Sequence, residues 1–488
     1  MASDDKNDGK SDYREWFDDP YVFNIPDATY DDLPKLVRSL KRAAIDAYVR
    51  DKKDSLTANY SRTEDEYTIS VGTANGGSVT TRITRPDENG EGGGKVTTTT
   101  FTAFGYSKDT SEDMTEEFEG VRHKINSIIK PWVDLPDPKR IGEEVGECQR
   151  VISLLADKAT IQSGKVVPSG TIQTKVNSIH EELVQMGGYT MEAFKSNIIE
   201  NVGGIVSNLY AATTLWSATL NAEQGTFTKA RESVVQTVKN SIKMFNDIAN
   251  DDHGKLEFIL EVAKFAVEAF KTFSGVEALG KVADTASSGL RIMEKIKDDK
   301  NPSAKAASYE DGIAALLGAF RDINRSITKV ENAIKANIID NMDAMSKARE
   351  SYDLKVKATK SSDIKNSDKT HIEQSRIDNI LGDCRHTIIE QLDLAWTAIE
   401  NIDMADCVIR NEHVGIGVRG PSPKFHDFKW LLHDLIKRLS NDTQNAFKNF
   451  ELAIECIKEQ DQLSKRNLDS MRGSIEGESG PDPWQDRD

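Results

Sequence analysis

The residues of this chain that could do chemistry stand in incomplete sets. His180-Glu181-Glu182 opens like a zinc helix, where two histidines one turn apart hold the metal and a glutamate between them acts as base, yet the second histidine is missing. His426 and His433 share a helix face without a third ligand at a metal-binding spacing. Cys384-Arg385-His386 sets a thiol beside a base, with no group to orient the pair for nucleophilic attack. Gly90 to Lys95 resembles a phosphate loop only superficially: its first glycine is out of register, and Val96 stands where a Ser or Thr would hold magnesium. The expectation is a protein that is not an enzyme, with no catalytic, cofactor or metal residues and no small-molecule substrate.

The elements around these residues read as long helices. Residues 169–301 and 303–420 contain no proline, which costs about 3 kcal/mol inside a helix. Helices are expected near 171–186, 190–221, 226–250, 255–273, 276–298, 308–358, 370–411 and 424–470. Leu316, Phe320, Ile323, Ile327, Val330 and Ile334 alternate four and three apart, followed by Ile338, Met342 and Met345, as in a coiled-coil seam. Earlier in the chain, 31–54 reads as a helix. Tyr67, Ile69 and Val71, then Val79, Thr81 and Ile83, then Val96 to Phe104 alternate as three strands of an antiparallel meander. A helix from Ser111 ends before a rigid elbow at Pro131 to Pro138, and another covers 140–158.

The fold class expected is mainly all-α: an elongated antiparallel helical bundle or coiled coil with a small antiparallel β-meander near the N-terminus. Its parts are an acidic arm (1–30), helix plus meander (31–110), a helical hairpin with the proline elbow (111–162), the long bundle (171–471) and a tail disordered by composition (472–488).

Composition limits the partners. A net charge of −17 disfavours nucleic acid, since phosphate binding needs a basic face. Protein partners or self-association are expected, with a membrane as the alternative. Met1 to Asp19 lacks the basic start and apolar run of a secretory signal, so the reading is a soluble protein, either cytoplasmic or exported by a leaderless route. Four cysteines, Cys148, Cys384, Cys407 and Cys456, read as buried free thiols. Cys384 and Cys407 would sit about 35 Å apart on one helix, too far for a disulfide.

Three features carry what function the residues suggest. Along 255–273, Glu257, Glu261, Lys264, Glu268 and Lys271 form one charged line, while Phe258, Ile259, Val262, Phe265, Phe270 and Phe273 fill the remaining surface. This is a candidate membrane or partner segment, alternatively a central bundle helix with one wet stripe. Lys355, Lys357, Lys360, Lys365 and Lys369 form a candidate basic tip between two apolar stripes, suited to an anionic surface or simply to water. Gly203-Gly204 with Ala211, Ala212 and Ala218 lets another helix approach closely.

The pair of helices from Glu116 to Lys158 and the segment Tyr189 to Asn250 resemble the helical body of larger type VII secretion substrates, relatives of the Trp-X-Gly proteins. Tyr60-Ser61-Arg62-Thr63-Glu64 fits their Tyr-X-X-X-Asp/Glu signal, whereas Trp216-Ser217-Ala218 has alanine where the family has glycine. The resemblance implies a leaderless exported protein acting through helical surfaces. In layout the chain is also similar to α-helical pore-forming toxins, in which long helices flank a sequestered apolar segment, here 255–290. The charged line from Glu257 to Lys271 departs from that pattern, because each charge is costly at the bilayer centre.

Overall fold

A computed structural model describes residues 27–54, 58–73, 76–101, 107–162, 165–250, 254–257, 262–274, 303–354 and 372–477. Helix α1 (Leu33–Asp54) follows a short 3-10 turn and buries Leu33, Leu36, Leu40, Ala44 and Ala47. Five antiparallel strands come next in sequence order: β1 (Asn59–Arg62), β2 (Glu66–Gly72), β3 (Ser78–Thr84), β4 (Lys95–Phe101) and β5 (Ser107–Asp113). Tyr67, Ile69, Ile83 and Val96 lie on one face, with Tyr67 opposite Ile83 and Ile83 opposite Val96. All four are buried, and the Tyr67 hydroxyl reaches Asp46 of α1, so this end of the sheet lies on the helical body. A small sheet needs such support to be stable.

Helices α2 (Thr115–Ile129) and α3 (Pro138–Leu155) meet at the proline elbow, where Trp132 and Leu135 are buried and Trp132 packs on Phe320. Tyr30 pins the elbow by donating to the Trp132 carbonyl and accepting from the Leu135 N–H at 3.0 Å. A hairpin of β6 (Lys158–Gln162) and β7 (Lys165–Ser169) leads to α4 (Thr171–Val184) and α5 (Tyr189–Phe194).

The centre of the molecule is α6 (Glu200–Ala249), 50 residues long and so about 75 Å. It touches α1, α3 and α4 and, later in the chain, the helices at Val262–Ser274, Tyr309–Lys347 and Ser422–Gly477, and it is buried around most of its circumference. That burial explains its composition. Large side chains such as Trp216, Phe227 and Phe245 alternate with Gly, Ala, Ser and Thr, which let neighbouring backbones approach. Several buried hydroxyls are satisfied within the helix: Thr213 donates to the Leu209 carbonyl, Thr226 to Ala222 and Ser241 to Thr237.

Beyond α6 lie β8 (Gly254–Glu257), α7 (Val262–Ser274), β9 (Ser303–Ala306) and α8 (Tyr309–Lys347), then α9 (Gln374–Asp383), α10 (Glu390–Asn401) and α11 (Ser422–Gly477). The α8 seam from Leu316 to Ile334 is buried throughout, as the four-three spacing requires. The chain is mostly helical with an antiparallel sheet near the N-terminus.

Several expectations are corrected. The meander has five strands, because β1 and β5 add to its edges by backbone pairing, β1 aided by Tyr60 stacked on Tyr67 and by Arg62 bonded to Asp46, and α2 starts at Thr115 after β5 instead of at Ser111. Helices expected at 190–221 and 226–250 are one, since Gly225 is not a break but the contact point for another helix. Residues 254–257 are a strand, not the start of a helix, because they pair with 303–306. The helix expected to 358 stops at Lys347, and the one expected to reach 411 stops at Asn401, where Ile402 turns extended and a wound loop begins. Cys456 is exposed, while Cys148, Cys384 and Cys407 are buried and free. The helix expected at 276–298, the basic tip and most of the acidic arm lie outside the described residues.

Candidate functional site

The segment singled out by its apolar circumference is held at both ends. β8 and β9 pair Gly254 with Ala306, Lys255 with Lys305, Leu256 with Ala304 and Glu257 with Ser303, closing the base of the excursion that carries α7. Leu256 and Ala306 point inward, whereas Lys255 and Lys305 are exposed and directly opposite one another. Like charges directly opposite weaken a strand pair.

Within the candidate membrane or partner segment, Val262 and Phe270 are fully buried and Phe265 is half-buried. Phe273 belongs to α7, but its side chain lies outside the described set, as do Phe258 and Ile259. The seat of α7 on α6 buries Val262, Ala266 and Phe270 and is close-fitting, with polar contacts at its edge. Gly225 faces Ala269 so closely that a Cβ there would stand 2.9 Å from the Ala269 Cβ. Asn221 Nδ2 donates to the Ala269 carbonyl at 2.6 Å, and Lys229 Nζ lies 4.9 Å from the centre of the Phe265 ring. The exposed Lys264 and Glu268 mark a wet stripe, so the bland reading of this helix accounts for its pattern as well as the functional one does.

Deeper in the core, three charges meet that the sequence did not flag. Glu223 of α6, Glu331 of α8 and Arg410 of the loop after α10 have fully buried side chains. Arg410 pairs directly with Glu331, and its Nη1 lies 3.8 Å from Glu223 Oε1. The arginine also donates to the carbonyls of Val408 and Val414 at 3.1 and 3.2 Å, and stacks 4.9 Å from the centre of Phe227. Glu331 accepts from the Ile416 N–H at 2.8 Å. Gly415 and Gly420 take positive φ, 64° and 50°, and a Cβ on either would collide with Glu331 or Arg410. The loop is therefore wound onto the ion cluster.

Neither oxygen of Glu223 accepts a hydrogen bond from a described residue. Burial, followed by the charge of Glu331, holds its pKa well above the ordinary carboxylate value. Glu331 is raised too, by burial, against the opposing pull of Arg410. One guanidinium thus serves two carboxyls, and a proton on Glu223 turns it from a second buried anion into a neighbour that can donate to Glu331.

The remaining chemical candidates are engaged elsewhere. His426 Nε2 accepts from Trp430 Nε1 at 2.8 Å, and His433 lies between Trp396 and Trp430 with Nδ1 2.9 Å from Asp434. Burial raises the thiol pKa of Cys148 and Cys384, and that of Cys407 to about 12, which keeps them protonated and weakly nucleophilic. Arg385 and His386 line an open depression of about 480 Å³ with Glu390, Asp393 and Leu394, where a π turn (Cys384–Ile389) interrupts the helix. Arg385 is already paired with Glu451. Among the described residues there is no group of three or more His, Cys, Asp or Glu that could hold a metal, and no helix is long and apolar enough to cross a membrane.

The far end of α11 is the opposite of the buried core. Phe447, Phe450 and Ile454 are the last side chains it buries, and every residue from Glu459 to Ser470 is exposed. Leu463 and Leu468 are 59% and 65% exposed, and Leu452 on the outer side is 50% exposed. Leu452, Cys456, Glu459, Leu463, Arg466 and Ser470 follow one another at alternating four and three spacing, making one outward stripe.

No family model, curated protein or solved structure matches this chain.

Proposed function

We propose that the protein is a non-enzymatic interaction protein that associates with a second copy of itself through the outward stripe of α11. The observation that carries this reading is the exposure of α11 on all sides from Glu459 to Ser470 in a chain that otherwise folds its long helices together. Helices with no tertiary packing are marginal in water, so a partner helix is what such an end requires. Two copies set antiparallel would place Glu459 against Arg466 of the other copy, and Arg466 against its Glu459, with Leu463 between them. The stretch Lys458 to Ser470 carries three basic and three acidic residues, so two such ends meet without the repulsion expected of a chain with net charge −17. The elongated bundle belongs to this reading, as does the leaderless export implied by the type VII resemblance. Leu463→Glu tests it: the variant keeps the fold, because Leu463 is exposed, and loses self-association measured by light scattering. A wild-type chain that stays at 54.2 kDa at every concentration would refute the proposal.

A second reading, a membrane-acting toxin component, is favoured by one specific arrangement. The long helices α6 and α8 flank an excursion whose base carries opposed lysines and whose helix α7 exposes Lys264 and Glu268 while meeting α6 partly through Asn221 and Gly225. Dye release from liposomes supports this reading, and the absence of leakage with any lipid composition contradicts it.

A further inference from the structure

The 402–421 loop between α10 and α11 is tied to its surroundings by side chains, most of them ionisable. At its base Lys429 of α11 donates to the carbonyls of Glu400 and Ile402 at 2.9 and 2.5 Å, and Glu144 of α3 accepts from the Asp403 N–H at 3.1 Å. At its far turn the Gly415 N–H donates to Asn324 Oδ1 at 2.7 Å and the Ile416 N–H to Glu331, both acceptors belonging to α8. Among the described residues, the backbone bonds made by 410–420 run within the loop: Arg410 N–H to the Val418 carbonyl at 3.1 Å, Val414 to Asn411 and Gly420 to Gly417. The Arg410 side chain stitches two further points together by holding the Val408 and Val414 carbonyls. A loop bonded internally and anchored through side chains can leave its seat as one piece. Under it lie Met404, Val408, Val414 and Cys407, whose thiol donates to the Met404 carbonyl at 3.3 Å.

The anchor beneath Arg410 sets two carboxyls against one guanidinium. The ionisable groups facing Glu223 are Glu331 from α8 and Arg410 and Cys407 from the loop. With a proton on Glu223 the buried set is neutral. Without it the set carries one net negative charge, at a carboxylate that no described donor reaches. Lifting the loop relieves that charge, because water then hydrates both carboxylates and the guanidinium. Once hydrated, Glu223 holds its proton no more tightly than an ordinary carboxyl, whereas in the seated form burial keeps the proton on. Opening therefore releases one proton at any pH between the ordinary and the raised value, and within that range each pH unit multiplies the open population about tenfold.

We propose that the 402–421 loop is a proton-operated latch: it lies closed on α6 and α8 while Glu223 is protonated, and loss of that proton opens it, uncovering the Cys407 thiol while the helices stay folded. The latch does not involve the outward stripe of α11.

Thiol labelling of the full chain with iodoacetamide from about pH 6 to 8, each cysteine followed by peptide mass, tests the latch. The rate at Cys407 in wild type is divided by its rate in Glu223→Gln, so that the reagent's own pH dependence and titrations common to both proteins, such as that of exposed His413, cancel. That ratio is expected to rise about tenfold per pH unit. Cys384, buried in the π turn before α10, is expected to stay protected in both proteins. If the glutamine variant fails to fold by circular dichroism, wild type alone decides: its Cys407 rate, relative to a cysteine in an unstructured peptide at the same pH, should climb by the same factor. A ratio indifferent to pH overturns the proposal, since opening is then not coupled to a proton. Labelling of Cys384 in step with Cys407 overturns it too, because the whole chain is then unfolding.

Discussion

Replacing Glu223 by glutamine should stabilise the protein at alkaline pH while changing it little in acid. In the folded chain the Glu223 carboxyl is fully buried and sits beside Glu331, and among the described residues it has no hydrogen-bond donor and Arg410 balances both carboxyls. Its pKa is raised far above the ordinary 4.5, chiefly by burial. A raised acid binds its proton more tightly in the folded state, so its stabilising contribution is complete below about 4.5 and is lost as pH climbs through the folded value. The loss approaches about 1.4 kcal/mol per pH unit for one proton. Glutamine keeps the shape, cannot ionise, and can still donate to Glu331. Relative to wild type the variant should therefore gain stability progressively above pH 4.5, by more than about 1 kcal/mol at pH 8.5, and differ by less than about 1 kcal/mol at pH 4. Urea unfolding followed by circular dichroism between pH 4 and 8.5 measures the difference, and titrations elsewhere in the molecule cancel between the two proteins. Parallel stability profiles would refute the shared-proton account of the core, whatever the absolute stability.

Other consequences follow from single contacts. Asp46→Ala leaves Arg62 and Arg85 without their buried counter-charge and should cost about 3–5 kcal/mol, seen as a lower urea midpoint; a loss under 1 kcal/mol would mean that the sheet does not depend on this ion cluster. Gly225→Val places methyl groups where Ala269 already lies, costing about 1–3 kcal/mol, and limited proteolysis should then cut within 262–274 while the α6 core stays protected. Cysteines at both Lys255→Cys and Lys305→Cys, opposite each other across β8 and β9, should form a disulfide. If α7 reaches membranes by opening this clasp, the oxidised protein releases no dye from liposomes and reduction restores release; equal leakage from both forms rules out that route.

How much of this was legible in the residues depended on whether side chains or backbone did the organising. The α8 seam and strands β2 to β4 could be read because one face of each is apolar at the period of its element. Strand β5 offers Ser107-Lys108-Asp109-Thr110, a sequence with no apolar alternation, and β1 is only four residues long, too short to show a period. The overlong helix to 411 has a different cause: Ile402, Met404, Cys407 and Val408 continue an apolar run, but they bury as a loop packed beneath Arg410. Its three positive-φ glycines, Gly415, Gly417 and Gly420, were the only local sign of winding. Glu223, Glu331 and Arg410 are 79 or more residues apart from cluster to loop and look like ordinary surface charges one by one. Their meeting is a product of helix packing. Of the functional candidates, Val262 and Phe270 proved to be buried contacts of α7, whereas the exposed end of α11 passed unremarked because its stripe is only half apolar.

The central claim, association through the outward stripe of α11, is tested most directly by sedimentation equilibrium on a charge-swap set. Wild type should rise from 54.2 kDa toward twice that mass with concentration. Glu459→Arg and Arg466→Glu should each remain monomeric, and the double variant, which restores the opposite-charge pairs across the two copies, should associate again. Monomers throughout, or association indifferent to the swaps, would contradict the account.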